Sequence, residues 1–343
     1  MVTQKNRDIR LKSRPVGLPT LDNFELVEGE IPHLGSGQIL VRNLFMSVDP
    51  YMRGRMMDRK SYVPPFQIGE VLQGGAVGKV MVSNGNGEFA AGDYVLGMDG
   101  WREWFVSSGA GLQKVDPAIA PIQAYLGALG MPGLTAYAGL LRVGELKKTD
   151  RVFVSAASGA VGAVVCQIAR NKGCEIVVGS AGTDEKCAYL TQELGCTAAI
   201  NYRDCGDLGA ALADAMPGGV DVYFDNVGGS HLTAALDNMN TFGRIVACGM
   251  IEIYNATEPP RGPYNLANIV GRSLTMRGFI VLNHLDMLPA FQRDMGEWIA
   301  AGKMTWRETI LDGIERAPEA LIGLFKGDNF GKMLVKLAEE NGG

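Results

Sequence analysis

The sequence predicts an α/β fold, with a doubly wound parallel sheet joined to a second, mostly β domain. Three observations lead there. Residues 152–162, VFVSAASGAVG, end a short β-branched run in small residues and glycines, and the apolar AVVCQIARNKG follows to Gly173 without a proline. That is a strand, a tight turn and a helix. Apolar runs then recur at α/β spacing as VFVSA, EIVVGS, AAINY, VDVYFDNV, GRIVACGM and LTMRGFIV. Six such strands complete a doubly wound dinucleotide-binding sheet. Upstream, to about residue 127, runs such as GQILVRNLFMSVDPY, VLQGGAVGKVMVS and GDYVLGMDGWREWFVS are broken by Gly and Pro. Breaks about every 8–12 residues indicate a mostly β domain.

The first strand–turn–helix carries chemistry. Gly159 and Gly162 leave room for a ligand's backbone approach and for the helix to pack on the strand. The helix start offers unpaired N–H groups and a positive dipole end to a pyrophosphate. The usual first glycine is Ala157, giving A-x-G-x-x-G. Taken alone, such a turn also occurs in α/β proteins that bind no nucleotide. The second strand, CEIVVGSAG, ends in Ser180, Ala181, Gly182 and Thr183, where an NAD-specific site carries an acid for the ribose hydroxyl. No carboxylate there repels a 2′-phosphate, and Lys186 follows in the next helix, TDEKCAYLTQELG. Lys186 is either a solvated helix lysine, diluted by Asp184 and Glu185, or a phosphate ligand. The missing acid together with the lysine favours NADP(H). From about Lys303 the pattern becomes strand, helix, turn, strand (WRETILDGIERAPEALIGLFKGDNFGKMLVKLA), which predicts a return to the first domain.

Composition bounds the function. The chain has 343 residues, long enough for two domains, and a net charge of −5, which gives no electrostatic case for nucleic acid or an anionic membrane. Its six cysteines include no CxxC pair, so a reducing cytoplasm is expected. The N-terminal MVTQKNRDIRLKSRP has no apolar segment, so no secretory signal is expected. Residues 152–169 are free of charge over the minimum length of a membrane span, but their glycines and serines read better as the first βα unit of a buried sheet.

Five separated motifs, DPYMRGRM (49–56), GMPGLTAYAGL (130–140), AASGAVG (156–162), FDNVGG (224–229) and GDNFGK (327–332), carry a resemblance over nearly the whole chain. The chain resembles the zinc-independent medium-chain dehydrogenase/reductases, in the group of NADPH-dependent alkenal/one double-bond reductases. The resemblance implies a Rossmann NADP(H)-binding domain at 128–303 and a GroES-like substrate and catalytic domain at 1–127 and 304–343. It implies hydride transfer to the β-carbon of an α,β-unsaturated aldehyde or ketone, enolate stabilisation, and protonation at the α-carbon. It also implies a homodimer; LTMRGFIVL (274–282), near the end of the sheet, either extends pairing across a two-fold axis or is covered within the monomer.

Zinc is argued against independently. No cysteine precedes Cys166, the Ile68-Gly69-Glu70 segment lacks a histidine, and there are only three histidines, His33, His231 and His284, expected at the surface or in loops. No metal is expected. Without a Lewis acid, carbonyl–alcohol exchange is harder, and a conjugated C=C that activates itself is the better substrate.

By resemblance, Gly159, Ala160, Val161 and Gly162 cradle the pyrophosphate. Lys186 and Tyr202 contact the 2′-phosphate, Tyr202 being otherwise a strand-end tyrosine capping the core. Asn226, Cys248, Gly249, Met250, Tyr254, Phe279, Ile280, Val281 and Asn329 line the cofactor, with Asn226 and Asn329 otherwise turn residues. Tyr254 is the catalytic donor or enolate stabiliser and a substrate contact, or else a pocket wall. Tyr51 faces the substrate or is buried in its turn. Met52, Met56 and Met57 form a soft pocket wall or simply pack. The alternatives are an NADPH-dependent quinone reductase of the same fold, a zinc alcohol dehydrogenase (disfavoured by its missing ligands) and a non-catalytic NADPH-binding protein. The physiological enone is not legible in the sequence.

Overall fold

The structure, a computed structural model, describes residues 5–340. The first four residues of the N-terminal stretch read for a signal segment, and the last three residues of the chain, lie outside them. The chain forms two compact units. One runs to Leu126 and includes Glu308–Asn329 and the residues from Met333 on; the other is Gly127–Arg307 with Phe330–Lys332.

In the first unit, β1 (Lys5–Leu11) and β2 (Phe24–Glu30) form an antiparallel pair. β3 (Gln38–Ser47), a short helix α1 (Tyr51–Arg55), and β4 (Ala76–Asn84), β5 (Tyr94–Gly97), β6 (Trp104–Ser107) and β7 (Gln113–Val115) follow. β3 is rich in β-branched and apolar residues and pairs antiparallel with both β4 and β6. Alternate side chains of these strands, Ile39, Val41, Val80, Val95 and Phe105, meet in one buried cluster.

The second unit opens with α2 (Met131–Ala138). It then alternates β8 (Arg151–Val154), α3 (Gly162–Asn171), β9 (Ile176–Ala181), α4 (Asp184–Gln192), β10 (Ala198–Asn201), α5 (Leu208–Ala215), β11 (Val220–Asp225), α6 (Gly229–Asn238) and β12 (Met239–Ala247). α7 (Ala267–Gly271), β13 (Thr275–Gly278) and α8 (Leu288–Ala300) complete it. The strands form one parallel sheet in the order β10-β9-β8-β11-β12-β13. Strand order reverses between β8 and β11, and such a reversal opens a crevice at the carboxyl ends of the strands. Alternation along β8 sends Val152 and Val154 into one core with Val165, Ile168 and Phe291. Phe153 points the other way, into a core with Val178, Tyr223, Leu232 and Leu236.

The chain then adds β14 (Glu308–Asp312), α9 (Ala317–Lys326) and β15 (Lys332–Lys336), and β15 pairs antiparallel with β3 in the first unit. Phe330–Lys332 belong instead to the second unit. The Gly331 N–H donates to Ser158 O at 3.0 Å and the Lys332 N–H to Arg307 O at 2.9 Å. A Cβ on Gly331 would lie 1.8 Å from Arg307 O, and its φ is +68°, so only glycine fits.

Several expectations are corrected. The strand expected across LTMRGFIV stops at Gly278, because its partner β12 ends at Ala247, paired to Gly278. Phe279 and Ile280 lie outside regular structure and Val281 opens a 3₁₀ turn, Val281–Met287. The histidines were expected at the surface or in loops, yet His231 is 2% exposed on α6 and His284 is buried; only His33 is exposed. His231 is buried because α6 lays it against the Tyr202 ring, 5.0 Å between centroids. The charge-free 152–169 stretch is β8, its turn and most of α3. Among the described residues no helix is long and apolar enough to cross a membrane.

Asp294 on α8 ties three helices together. Its Oδ2 accepts from the Tyr137 hydroxyl on α2 at 2.9 Å and from Lys172 Nζ, just after α3, at 2.9 Å. Burial and Asp294 together push the Tyr137 phenol up to about 12. Asp294→Ala leaves a buried hydroxyl unpaired and is expected to destabilise the fold by about 2 kcal/mol in urea titrations. A loss below about 0.5 kcal/mol would show the three-helix tie to be incidental.

Candidate functional site

The turn after β8 is shaped by backbone approach. A Cβ on Gly162 would lie 2.4 Å from Ala156 O and 2.7 Å from Ala157 Cα, so only glycine lets α3 start this close to the strand. Ala156 itself holds a left-handed φ of 47°. Ala157, in place of the usual first glycine, is fully buried; a Cβ on Gly179 of β9 would lie 2.6 Å from its methyl. The glycine has thus moved to the neighbouring strand. The Gly159 N–H is used internally, on Ala156 O at 3.0 Å. The N–H groups of Val161 and Gly162 have no hydrogen-bond partner among the described residues, and Val161, the N-cap of α3, supplies no side-chain cap. Gly159 and Gly331 form a parallel bridge, which engages the Ala160 N–H. Two unpartnered donors at the positive end of a ten-residue helix suit a pyrophosphate. Gly159 contributes space rather than a donor.

At the end of β9 a Cβ on Gly182 would lie 3.0 Å from Tyr202 Oη and 3.2 Å from Arg203 Nε. Tyr202 follows β10, is 37% exposed and is tied to β9 by its N–H on Ala181 O. Lys186 lies in the first turn of α4, its N–H on the capping Thr183 hydroxyl at 3.2 Å. Asp184, which dilutes the lysine in sequence, accepts from Asn201 Nδ2 at 2.8 Å. A phenol and a guanidinium therefore meet where an NAD site would carry an acid. The sequence reading missed Arg203, whose signal was only its place beside Tyr202.

The third part lies at the ends of β11 and β12. Asp225, also missed, is fully buried. Its Oδ1 accepts from the Tyr223 hydroxyl at 2.7 Å, Val227 N at 2.9 Å and Gly228 N at 2.8 Å. Burial pushes this carboxylate above its ordinary pKa, while these bonds hold it down. Its backbone oxygen accepts from Cys248 N and Gly249 N at 2.9 and 3.0 Å. Asn226 donates its side-chain N–H to Ser155 O at 2.8 Å, which leaves its amide oxygen as the group it presents. Burial, with Asp225 nearby, pushes the Cys248 thiol up to about 12, so it is no nucleophile at neutral pH. Met250 N–H donates to Tyr254 Oη at 3.2 Å, and that hydroxyl lies 3.3 Å from where a Gly249 Cβ would stand. Phe279 packs over Gly139, whose Cβ would lie 2.6 Å from Phe279 Cζ; Ile280 and Val281 are half-buried beyond β13.

Tyr51 and Asn329 belong to the first unit. Tyr51 opens α1, and its hydroxyl is buried with no hydrogen-bond partner among the described residues. Arg55 lies near it, with Nε on Pro64 O and Nη2 on Gln73 Oε1, each at 2.9 Å. Burial, and then Asp49, hold the phenol well above its usual pKa. Met52 and Met56 are core residues, while Met57 is 36% exposed. Asn329 is half-buried in the loop between α9 and β15.

A parallel sheet with a phosphate-ready helix start, a polar end to β9 and a tyrosine at the end of β12 defines a dinucleotide-dependent oxidoreductase. Residues 7–115 match the family model described as an N-terminal domain of oxidoreductase, and residues 160–299 match one described as a zinc-binding dehydrogenase. The chain is 44% identical to the NADPH-dependent curcumin reductase of Escherichia coli, across 98% of this chain and 99% of that one. It is 42% identical to the NADP(+)-dependent 2-alkenal reductase of Nicotiana tabacum, across 98% of both. The crystal structure of CurA from Vibrio vulnificus in complex with NADPH superposes with a TM-score of 0.91 at 43% identity, covering 97% of this chain and 99% of that chain. The chain belongs to the medium-chain dehydrogenase/reductases, in the group of NADPH-dependent alkenal/one double-bond reductases.

The second family description names zinc, and the residues here do not fit it. Among the described residues no three His, Cys, Asp or Glu side chains are grouped to hold a metal ion, and the sequence has no cysteine before Cys166.

Both ring nitrogens of His231 are buried without a hydrogen-bond partner among the described residues, and burial drops the imidazole from its ordinary 6.5 to about 4. The unfolded chain takes up this proton near its ordinary pKa, and the folded chain does so only near the lowered one. Stability is therefore level above pH 6.5 and falls as pH drops towards about 4, by up to about 1.4 kcal/mol per pH unit. Urea midpoints measured across that window should fall more shallowly in His231→Phe; equal slopes in the two proteins would refute the assignment.

Proposed function

We propose that this protein reduces the C=C bond of α,β-unsaturated aldehydes and ketones with NADPH. The observation that carries the reading is the Tyr254 hydroxyl, hooked to Met250 N–H at the carboxyl end of the sheet. The residues fit the cofactor. Val161 and Gly162 N–H would hold the pyrophosphate; Lys186, Tyr202 and Arg203 would hold the 2′-phosphate. Asn226, Cys248, Gly249, Met250, Phe279, Ile280, Val281 and Asn329 would line the rest. Bound NADPH supplies the hydride, which goes to the β-carbon while the C=C electrons move to the carbonyl oxygen.

The chain's part is to stabilise that oxygen. Because the Tyr254 oxygen accepts from Met250, its own proton is directed elsewhere, where a phenol can donate to a developing oxyanion. The enolate is then protonated at the α-carbon. Tyr51, whose buried hydroxyl has no hydrogen-bond partner among the described residues, suits a contact to the substrate. In this reading residues 1–127 and 304–343 serve the substrate and 128–303 the cofactor. The protein is proposed to work in the cytoplasm, in keeping with six unpaired cysteines. It is also proposed to be a homodimer joined along β13, an edge strand with every residue exposed, near exposed Phe242, Val270 and Leu282.

NADPH oxidation followed by absorbance, with a 2-alkenal, an unsaturated ketone, a para-quinone and NADH controls, tests this. Enone turnover is expected, and Tyr254→Phe is expected to lower kcat by about a hundredfold. Turnover of the quinone alone would move the assignment to quinone reduction, and tight NADPH binding without turnover would remove the enzymatic reading. Arg203→Ala and Tyr202→Phe are expected to raise KM for NADPH about tenfold while leaving KM for NADH unchanged. Equal effects on both cofactors would place these side chains away from the 2′-phosphate.

A further inference from the structure

We propose that Glu252 is a positioning residue for Tyr254: its carboxylate, seated on the first turn of α6, holds the turn that carries the tyrosine. The inference rests on the reading of Tyr254 given above. α6 starts at Gly229 with Gly228 as its N-cap and no side-chain cap of its own. Glu252 fills that place from twenty-two residues further on. Its two oxygens accept from Ser230 N at 3.1 and 3.2 Å, and Oε2 also from Ser230 Oγ at 2.7 Å. The space is made by Gly229, where a Cβ would lie 1.9 Å from Glu252 Oε1 and φ is +45°. A negative charge at the positive end of a ten-residue helix is favourable, and hydrogen bonds to a carboxylate are about twice as strong as neutral ones.

The same short segment is otherwise held on the FDNVGG turn by longer backbone bonds. These run from Ile251 N to Asn226 O at 3.4 Å and from Glu252 N to Val227 O at 3.2 Å. The 3₁₀ turn Ile251–Ile253 then places Tyr254, whose N–H reaches Ile251 O at 3.4 Å and whose hydroxyl takes Met250 N–H. Only Ile253 separates the carboxylate's residue from the tyrosine. Beyond it, residues 255–263 contain no helix or strand, and most are exposed. The carboxylate contact ties this turn to the start of α6, and its bond to Ser230 Oγ, at 2.7 Å, is shorter than either backbone bond. Moving a reacting group by about 1 Å is enough to lower a rate by up to a hundredfold.

Steady-state kinetics with trans-2-hexenal and NADPH test this on Glu252→Ala, Glu252→Gln, Tyr254→Phe and the Glu252→Ala/Tyr254→Phe double variant, with circular-dichroism melts for folding. Glu252→Ala is expected to lower kcat about tenfold while KM for NADPH stays within about twofold. Glu252→Gln, which keeps an acceptor for Ser230, should recover most of the rate. The double variant should be no slower than Tyr254→Phe alone, because a latch for an absent hydroxyl has nothing to position. Wild-type kcat in Glu252→Ala, or a loss that multiplies with that of Tyr254→Phe, overturns the proposal and leaves the reading of Tyr254 standing. Wild-type kcat in Tyr254→Phe overturns that reading, and this proposal with it.

Discussion

The carboxylate of Asp225 is the interaction on which the site end of the parallel sheet depends. A fully buried acid is costly unless its oxygens are occupied, and here one oxygen gathers a phenol and two backbone N–H groups. Those donors belong to β11 itself and to the FDNVGG turn. The Asp225 backbone oxygen holds Cys248 and Gly249 at the end of β12, and Ser155, after β8, bonds Asn226. Three strand ends are thereby fixed to one another where a ligand must be read to within a fraction of an ångström. The second oxygen has no hydrogen-bond partner among the described residues, consistent with a carboxylate whose pKa burial has raised.

The same edge divides its recognition by chemistry. At the start of α3 the donors are neutral backbone groups, whose direction is set by a helix that only Gly162 lets approach. At the end of β9 they are side chains, a phenol and a guanidinium drawn around Gly182. Backbone donors suit a diphosphate shared by every dinucleotide, and side-chain donors suit the one phosphate that separates two of them. Tyr254 is a third case, a side chain whose hydroxyl oxygen is occupied by a backbone N–H so that its proton faces another direction.

Much of this was legible in the sequence. The six strands, the turn at 156–162 and the missing acid at Gly182 followed from pattern, because strand period and turn chemistry are local, while Tyr202 followed only from the family resemblance. The end of β13 was not, because a strand lasts only as long as its partner, and β12 stops at Ala247. His231 was expected at the surface or in a loop, and α6 buries it against Tyr202, a contact between residues 29 positions apart. Asp225 lay inside the FDNVGG motif without its role showing, and Glu252 gave no motif signal, since an acid ending an apolar strand and an acid in a loop look alike until their partners are known.

The sequence by itself determined the fold class, the family and the cofactor type. The fold class and the cofactor type rest on residue types at short spacing: glycines where backbones must approach, small residues where an acid would repel, apolar runs at the period of buried strands; the family rests on five motifs spread along the chain. Only the tertiary structure decided which N–H groups at the phosphate turn lack partners, that Arg203 joins Tyr202 at Gly182, and that Glu252 reaches back to cap α6. Those facts depend on distances between residues far apart in the chain. Such distances are set by how the helices and strands pack, and no local pattern of residues encodes them.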